Sequence, residues 1–249
     1  MVPKEISSLQ HPIVKRLVKL REDKGARHQE GLALISGKKL VEEIAAEQPL
    51  EMLFLPQGME VPPGWQVNQV YWVAEGLFKK ITGLMHPELI AAAVKLPKEH
   101  LLEDKQWIVA LDGVSDPGNL GTLLRTALAL GWEGAFLISG CSDPFNEKAV
   151  RAAKGASFRL PLRYGSAEQL LQLAQKNSLA TWVADLAGTA VDRIERSKNG
   201  LLILGSEAHG VSSILKEHGT RVTIPLTGKM ESLNVAGAGA ILMYILGSK

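Results

Sequence analysis

The chain has few of the residues that mark several common classes of protein. Cys141 is the only cysteine in 249 residues, which excludes an internal disulfide and a Cys-based zinc cluster and favours a reducing, cytoplasmic setting. No uninterrupted apolar run approaches the roughly 18 residues of a membrane-spanning helix, and the N-terminus lacks the apolar core of a signal peptide. The formal net charge is only +2, so composition alone does not indicate a nucleic-acid-binding protein.

The residues that are present describe a globular protein of two parts. Hydrophobic residues make up 46% and charged residues 22%, which is ordinary for a chain with a sizeable core. Short apolar strands alternate with helices of about ten residues, a pattern typical of α/β domains. Residues 1–96 predict a small, mostly parallel sheet, and residues 107–249 predict an open α/β sheet. Residues 97–106, which begin with proline and are mostly charged or polar, are predicted to be the linker.

The N-terminal segment is basic. Residues 1–30 contain seven Lys or Arg against four Asp or Glu, a net charge of +3. Ile13, Leu17 and Leu20 recur at helical spacing and predict an amphipathic helix. Two interpretations stay open at this point: a solvated amphipathic helix, or an arm that contacts phosphates.

Polar side chains follow three strands of the second part. Asn119 and Arg125 come after strand 107–113, Glu207 after 201–204, and Ser232 with Asn234 after 222–224. In open α/β sheets ligands gather at the carboxyl ends of strands. Capping is the structural alternative for the Asn, Glu and Ser residues, because each precedes or begins a helix.

The chemistry of these groups narrows the class of protein. All of them can form hydrogen bonds, but they do not include the triad of nucleophile, base and orienting residue that nucleophilic catalysis uses. His209 lies near Glu207, but no second histidine stands at metal-ligand spacing, so no metal site is predicted. The run GAGAIL at 237–242 lacks the third glycine of a dinucleotide fingerprint. A zinc hydrolase and a Rossmann dehydrogenase are therefore both disfavoured.

The C-terminal segment 235–246 is apolar on every side and predicts a buried helix. Gly237 and Gly239 inside it should each cost about 1 kcal/mol relative to alanine. We therefore expect a neighbouring element to approach that backbone closely, and Ser232 to cap the helix at its N-terminus.

Together, three segments resemble the sequence motifs of the SpoU-type RNA ribose 2′-O-methyltransferases, members of the SPOUT class. The first, LDGVSDPGNLGTLLRTA at 111–127, contains N-x-G-x-x-x-R; the second is LILGSEAHGVS at 202–212; the third is IPLTGKMESLNVAGAGAI at 224–241. The segment 143–162 also looks like the family's segment between the first two motifs. The resemblance covers about residues 107–247, and residues 1–96 look more loosely like the family's N-terminal extension and L30e-like substrate-binding domain.

This resemblance implies a fold, a cofactor and a reaction. The fold would be a trefoil-knotted methyltransferase domain that pairs into a homodimer. S-adenosylmethionine would be held around Gly205, Ile224 and Leu233, with Ser206 and Gly210 in the same motifs. The substrate would be the ribose 2′-hydroxyl of a structured RNA, ribosomal more than transfer RNA, and no membrane partner is implied. Alternatives are a transfer-RNA 2′-O-methyltransferase and a catalytically inactive RNA-binding relative.

The resemblance also implies roles for the polar cluster, which comprises Asn119, Arg125, Glu207, Ser232 and Asn234. Arg125 would act either as the base or as an anchor that holds a phosphate beside the attacking oxygen. A guanidinium is hard to deprotonate, since its pKa exceeds about 12, which favours the anchor. The other four would orient Arg125 and the ribose.

Overall fold

A computed structural model describes residues 3–195 and 197–247. The chain divides into two compact units. The first runs to Pro97 and includes Phe145–Glu147, and the second comprises Lys98–Pro144 and the chain from Lys148 onward. Each unit contains one β-sheet with helices, so the α/β class predicted from the sequence is confirmed.

The first unit has a mixed five-stranded sheet of order β1-β4-β3-β5-β2. The strands are β1 (Lys4–Ile6), β2 (Leu32–Ser36), β3 (Met52–Pro56), β4 (Val70–Val73) and β5 (Ala91–Lys95), and the helices are α1 (Pro12–Glu22), α2 (Lys24–Glu30), α3 (Lys38–Ala45) and α4 (Glu75–Thr82). β5 runs antiparallel to both β2 and β3, so the predicted mostly parallel sheet is wrong for those pairings. Residues 83–90 follow α4 and are long enough, at about 3.3 Å per extended residue, to carry the chain back across the sheet before β5 begins.

The basic N-terminal segment forms part of this unit's core. Val14, Leu17 and Leu20 on α1 are buried with residues of the sheet, while Lys15 and Lys19 remain exposed. The guanidinium of the buried Arg27 donates to the carbonyls of Leu20, at 2.7 Å, and Arg21, at 2.9 Å, at the end of α1. The amphipathic helix is thus confirmed as a packed element, and contact between its basic face and RNA stays a prediction.

The second unit has a six-stranded sheet of order β11-β9-β10-β6-β7-β8. Every neighbouring pair in it is parallel, so the carboxyl ends of all its strands lie along one edge. The strands are β6 (Trp107–Asp112), β7 (Gly134–Ile138), β8 (Leu162–Gly165), β9 (Ala180–Ala190), β10 (Gly200–Gly205) and β11 (Thr220–Thr223). The helices are α5 (Pro117–Ala129), α6 (Glu147–Ala153), α7 (Ala156–Arg159), α8 (Ala167–Lys176), α9 (Ser213–Lys216) and α10 (Val235–Leu246).

Two sequence-based expectations change in this unit. The apolar residues of the segment 157–162, SFRLPL, predict a strand, but its first part is α7. The chain becomes extended only at Leu160, where ψ is 124°, because a residue before proline avoids the helical region. Residues 98–106, predicted as linker, pack on the second unit: Leu102 is fully buried in its core, and the Asn177 amide donates to the carbonyls of Leu102 and Lys105, each at 3.0 Å.

The terminal helix α10 is buried on one side only. Gly239 faces the core, where an added methyl group would overlap Leu123 and come within 2.7 Å of Leu204, so the expected close approach is confirmed there. An added methyl at Gly237 meets nothing within 4 Å. The helix carries an exposed apolar face formed by Gly237, Ile241, Tyr244 and Ile245, so the prediction of a helix buried all round is wrong. We call these four residues the α10 face.

Candidate active site

The turn after β10 is built from two glycines. A methyl group at Gly205 would overlap the backbone of Gly210, and Gly210 itself has φ of +65°, which favours glycine. The Gly210 N–H donates to the Ser206 carbonyl at 2.8 Å, and the His209 N–H donates to Ser206 Oγ at 3.2 Å. This tight turn holds Glu207 exposed at its tip.

The first turn of α5 presents Asn119. The helix begins at Pro117, and its N-cap is Asp116, whose carboxylate accepts the Asn119 N–H at 2.8 Å. Asn119 is therefore inside the helix and is not its cap. Its side-chain amide is left available to the site.

Three segments distant in sequence meet through side-chain amides at this point. Asn119 Nδ2 donates to Glu207 Oε1. Asn234 Nδ2 donates to Asn119 Oδ1 at 3.1 Å and reaches Glu207 Oε1 at 3.5 Å. We call these residues the Asn119–Glu207–Asn234 cluster. It joins the first turn of α5, the turn after β10 and the start of α10.

Asn234 has a second role as the N-cap of α10. Its Oδ1 accepts the N–H groups of Ala236, at 2.9 Å, and Gly237, at 3.4 Å. The predicted cap, Ser232, lies two residues too early, because the helix starts only at Val235. Nor does Glu207 cap the next helix, since the N-cap residue of α9 is Ser212.

A cavity of about 410 Å³ opens beside this cluster, within the carboxyl-end region of β9, β10 and β11. Its volume falls in the range of small-molecule pockets, roughly 300–1,000 Å³. All five residues predicted to hold the cofactor line the cavity, namely Gly205, Ser206, Gly210, Ile224 and Leu233. Glu207 and Ser232 line it as well. The apolar part of the wall is contributed by Leu204, Val222, Leu226, Val235 and Leu242, among others.

Two charged residues that the sequence analysis did not single out, Asp185 and Lys216, also line the cavity. Asp185 lies within β9 and pairs with Lys216 of α9, Oδ2 to Nζ at 2.9 Å. The hydrogen bond from Lys216, followed by one from the Ala187 N–H, holds the pKa of the Asp185 carboxyl below its ordinary value. The only signal in the sequence is one carboxylate in the otherwise apolar or neutral run ATWVADL at 180–186.

Arg125 stands apart from the cluster. It is exposed on α5 and does not line the cavity. It lies six positions after Asn119, which places the two side chains about 120° apart around the helix and about 9 Å apart along it. Within residues 3–195 and 197–247 its guanidinium makes no hydrogen bond or ion pair. One chain thus assembles Asn119, Glu207, Ser232 and Asn234 but not Arg125.

Other site chemistries find little support in this fold. In the described part of the chain, no group of three His, Cys, Asp or Glu residues is placed to hold a metal ion. Burial raises the pKa of the half-buried Cys141 thiol, which donates to the Leu111 carbonyl at 3.1 Å, so less of the nucleophilic thiolate forms. No helix among the described residues is long and apolar enough to cross a membrane.

The parallel sheet, the glycine turn and the cluster at its carboxyl edge define an α/β protein of the SPOUT methyltransferase class. The SpoU rRNA Methylase family model matches residues 106–244, and the MRM3-like substrate binding domain matches residues 11–92. The chain belongs to the SpoU rRNA methylase family.

Individual relatives match from two thirds to nearly all of the chain. The Bacillus subtilis 23S rRNA (guanosine(2553)-2′-O)-methyltransferase RlmP is 34% identical over 248 residues, covering 98% of this chain and 99% of the relative. The Haemophilus influenzae 23S rRNA (guanosine-2′-O-)-methyltransferase RlmB is 34% identical over 68% of this chain and 73% of its own. The crystal structure of an AdoMet-bound rRNA methyltransferase from Sinorhizobium meliloti superposes with a TM-score of 0.84 at 30% identity, covering 98% of this chain and 97% of that one.

Proposed function

We propose that this protein transfers a methyl group from S-adenosylmethionine to a ribose 2′-hydroxyl of ribosomal RNA. The observation that carries the proposal is the Asn119–Glu207–Asn234 cluster beside an apolar cavity, because it joins one polar residue from each of the three family motifs at one place. Similarity along nearly the whole chain to a 23S rRNA 2′-O-methyltransferase supports the choice of RNA.

The cavity suits the methyl donor. Gly205 and Gly210 allow the tight turn after β10, and both line the cavity, so the turn presents backbone to a ligand there. Ile224 and Leu233 offer apolar surface for an adenine ring, and backbone groups nearby can hydrogen-bond its edge. When bound, the cofactor supplies a methyl group on a positively charged sulfur, which is already an excellent leaving group. The protein must therefore mainly align the atoms and help to remove one proton.

The chain's own polar groups can perform that alignment. Glu207 accepts from the side-chain amides of both Asn119 and Asn234 and so fixes their orientation. Ser232 is exposed and lines the cavity, where its hydroxyl can hydrogen-bond an arriving ribose. These positioned groups orient the 2′-hydroxyl for in-line attack, an arrangement that works through geometry more than through a strong base.

We assign Arg125 to the cavity of a second copy. The α10 face is apolar and exposed, and α10 packs against α5, which carries Arg125. A two-fold dimer through this region would bury the face, because the same patch meets itself in such a dimer. Arg125 of each copy would then hold an RNA phosphate beside the other copy's cavity and stabilise the charge that develops on the attacking oxygen.

We propose a division of labour between the two parts of the chain. Residues 1–96 would bind the RNA, with the exposed lysines of α1 on an L30e-like domain. Residues 97–106 would connect it to the methyltransferase domain, 107–249, whose C-terminal segment would form the trefoil knot. The match of residues 11–92 to a substrate-binding domain supports this division. The work would take place in the cytoplasm.

The proposal is tested by mapping 2′-O-methyl groups in cellular RNA with and without the gene. Loss of one ribosomal site, restored by purified protein and S-adenosylmethionine on that RNA, is the expected result. If the methyl group lost is instead in transfer RNA, the substrate is transfer RNA and not ribosomal RNA. If no site changes and calorimetry detects no binding of S-adenosylmethionine, the protein is an inactive relative.

A further inference from the structure

Strand β9 carries a bulge directed at the cavity. Arg221 of β11 pairs with Val183, but the next residue, Val222, pairs with Thr189, so residues 184–188 leave the ladder. At the end of the bulge, a methyl group on Gly188 would lie 2.6 Å from the backbone of Arg221 and Val222, so only glycine allows the chain to rejoin β11 there. This five-residue bulge is larger than the usual β-bulge of one extra residue, but like a bulge it redirects side chains, and Ala184, Asp185 and Leu186 line the cavity.

The side chain that this bulge redirects is Asp185. Its carboxylate is 11% exposed and lines the cavity. One oxygen accepts the Ala187 N–H at 2.9 Å, and the other pairs with Lys216 Nζ at 2.9 Å. Lys216 comes from α9, and just before that helix the Ser212 N–H is held by the Asp112 carboxylate at 2.8 Å. The Asp185 carboxylate is therefore fixed through both of its oxygens, and each oxygen can still accept a further hydrogen bond.

We propose that Asp185 accepts hydrogen bonds from the ribose hydroxyls of the cofactor's adenosine, with Lys216 as the positioning residue that holds the carboxylate. The inference rests on the proposed function, which supplies the ligand. An ionised carboxylate is only an acceptor, so it requires a donor on the ligand. The vicinal hydroxyls of a ribose provide two donors side by side, which two carboxylate oxygens can accept together.

The charge balance favours the ribose over the other donor of the cofactor, the ammonium of its methionine tail. Lys216 already neutralises Asp185, which weakens the attraction of the pair for a further cation. Hydrogen bonding to a neutral diol does not depend on net charge. A site built to bind a hydroxyl also discriminates against a ligand that lacks it, because the largely covered carboxylate of Asp185, 11% exposed, would lose a donor there.

Calorimetry with three ligands separates these contacts. S-adenosylhomocysteine contains adenine, ribose and the amino-acid tail; 5′-methylthioadenosine lacks the tail; the 2′-deoxy form of 5′-methylthioadenosine lacks one hydroxyl. We expect Asp185→Asn to weaken binding of the first two equally, by about 10- to 100-fold, as for the loss of hydrogen bonds to a charged group. For the deoxy ligand the same substitution should weaken binding by a smaller factor, because one contact is already absent.

Two further variants accompany the experiment. Lys216→Met leaves the carboxylate without its ion-pair partner and should weaken binding of both ribose ligands by a smaller factor than Asp185→Asn. Glu103→Gln removes the exposed ion pair to Lys176, 2.6 Å long and outside the cavity, and should change no affinity. Circular dichroism of each variant checks the fold, and if Asp185→Asn does not fold, Lys216→Met alone decides.

The possible results differ in what they overturn. A weakened affinity for S-adenosylhomocysteine with an unchanged affinity for 5′-methylthioadenosine places Asp185 on the amino-acid tail and rejects the inference. Unchanged affinities for both ligands in Asp185→Asn and Lys216→Met reject it as well, while the proposed function stands. Failure of the unaltered protein to bind S-adenosylhomocysteine or S-adenosylmethionine rejects the proposed function and this inference with it.

Discussion

Asn234 donates a hydrogen bond from its side-chain amide to the side-chain oxygen of Asn119 at 3.1 Å, across 115 positions of sequence. The side-chain oxygen of Asn234, Oδ1, caps α10. One residue thus starts the terminal helix and completes the cluster beside the cavity. Correct docking of the C-terminal segment and assembly of the site are consequently linked through a single side chain.

The double role of Asn234 predicts that stability and activity can be separated by the choice of substitution. Asn234→Ala removes the cap and the amide, and should lower the free energy of unfolding by about 1 kcal/mol and strongly reduce the methylation rate. Asn234→Ser keeps a capping oxygen but has no amide for Glu207, so it should stay close to the unaltered protein in stability while losing rate. Chemical denaturation and single-turnover methylation measure the two effects.

A matched control exists on another helix of the same unit. Ser166 caps α8 through the Gln169 N–H at 3.3 Å and takes no part in the cluster. Ser166→Ala should cost a similar free energy of unfolding without changing the methylation rate of folded protein. If Asn234→Ser retained full activity, the amide contacts of Asn234 would have no catalytic importance.

The parts of the site that sequence predicted are those carried by residue type and position after a strand. Polar groups at the carboxyl ends of parallel strands meet at one edge, which predicts a site at Asn119, Glu207 and Asn234, and the structure brings these three together. The cofactor residues were taken from the family resemblance, and all of them line one cavity. Which residue caps which helix was predicted less well, because capping depends on where the helix starts.

The bulge at 184–188 could not be predicted from a single sequence. A register shift between two strands depends on which strands are neighbours, and β9 and β11 are separated by β10 in the chain order. The exposed side of α10 was missed for a related reason: an all-apolar pattern shows that a surface avoids water but does not show whether its partner is the same chain or another.

The contrast between two helical glycines gives a second prediction. Gly239→Ala adds a methyl group against Leu123 and Leu204 and should destabilise the second unit by about 1–3 kcal/mol, as overpacking does. Gly76→Ala on α4 meets no atom within 4 Å and should stabilise by about 0.5–1 kcal/mol, the usual gain for alanine in a helix. Thermal denaturation of both variants checks the signs, and a destabilising Gly76→Ala would contradict the packing described here.

The α10 face predicts the oligomeric state. Ile241 and Ile245 are 39% and 37% exposed in the single chain, so replacing both with lysine should leave the fold intact. Two pairs of charges placed in an apolar interface should shift the protein to monomer and remove methylation. Sedimentation velocity at micromolar concentration measures the change. Met85→Lys, at a side chain 69% exposed in the first unit, is the control and should leave the oligomeric state unchanged.

Arg125 provides the most direct test of a site shared between copies. Arg125→Ala should abolish methylation whether the guanidinium acts as base or as anchor, and Arg125→Lys should keep the charge but lose the two-pronged geometry that phosphate prefers.

If Arg125 serves the partner's cavity, a chain with Arg125→Ala and a chain with Glu207→Gln complement each other. Their mixed dimer contains one intact site, formed by the cavity of the first chain and the arginine of the second. Random pairing of equal amounts should then recover about a quarter of full activity, since about half the dimers are mixed and each has one of two sites intact. An arginine that acts within its own chain predicts no recovery at all, because every cavity in the mixture would lack either its arginine or its glutamate.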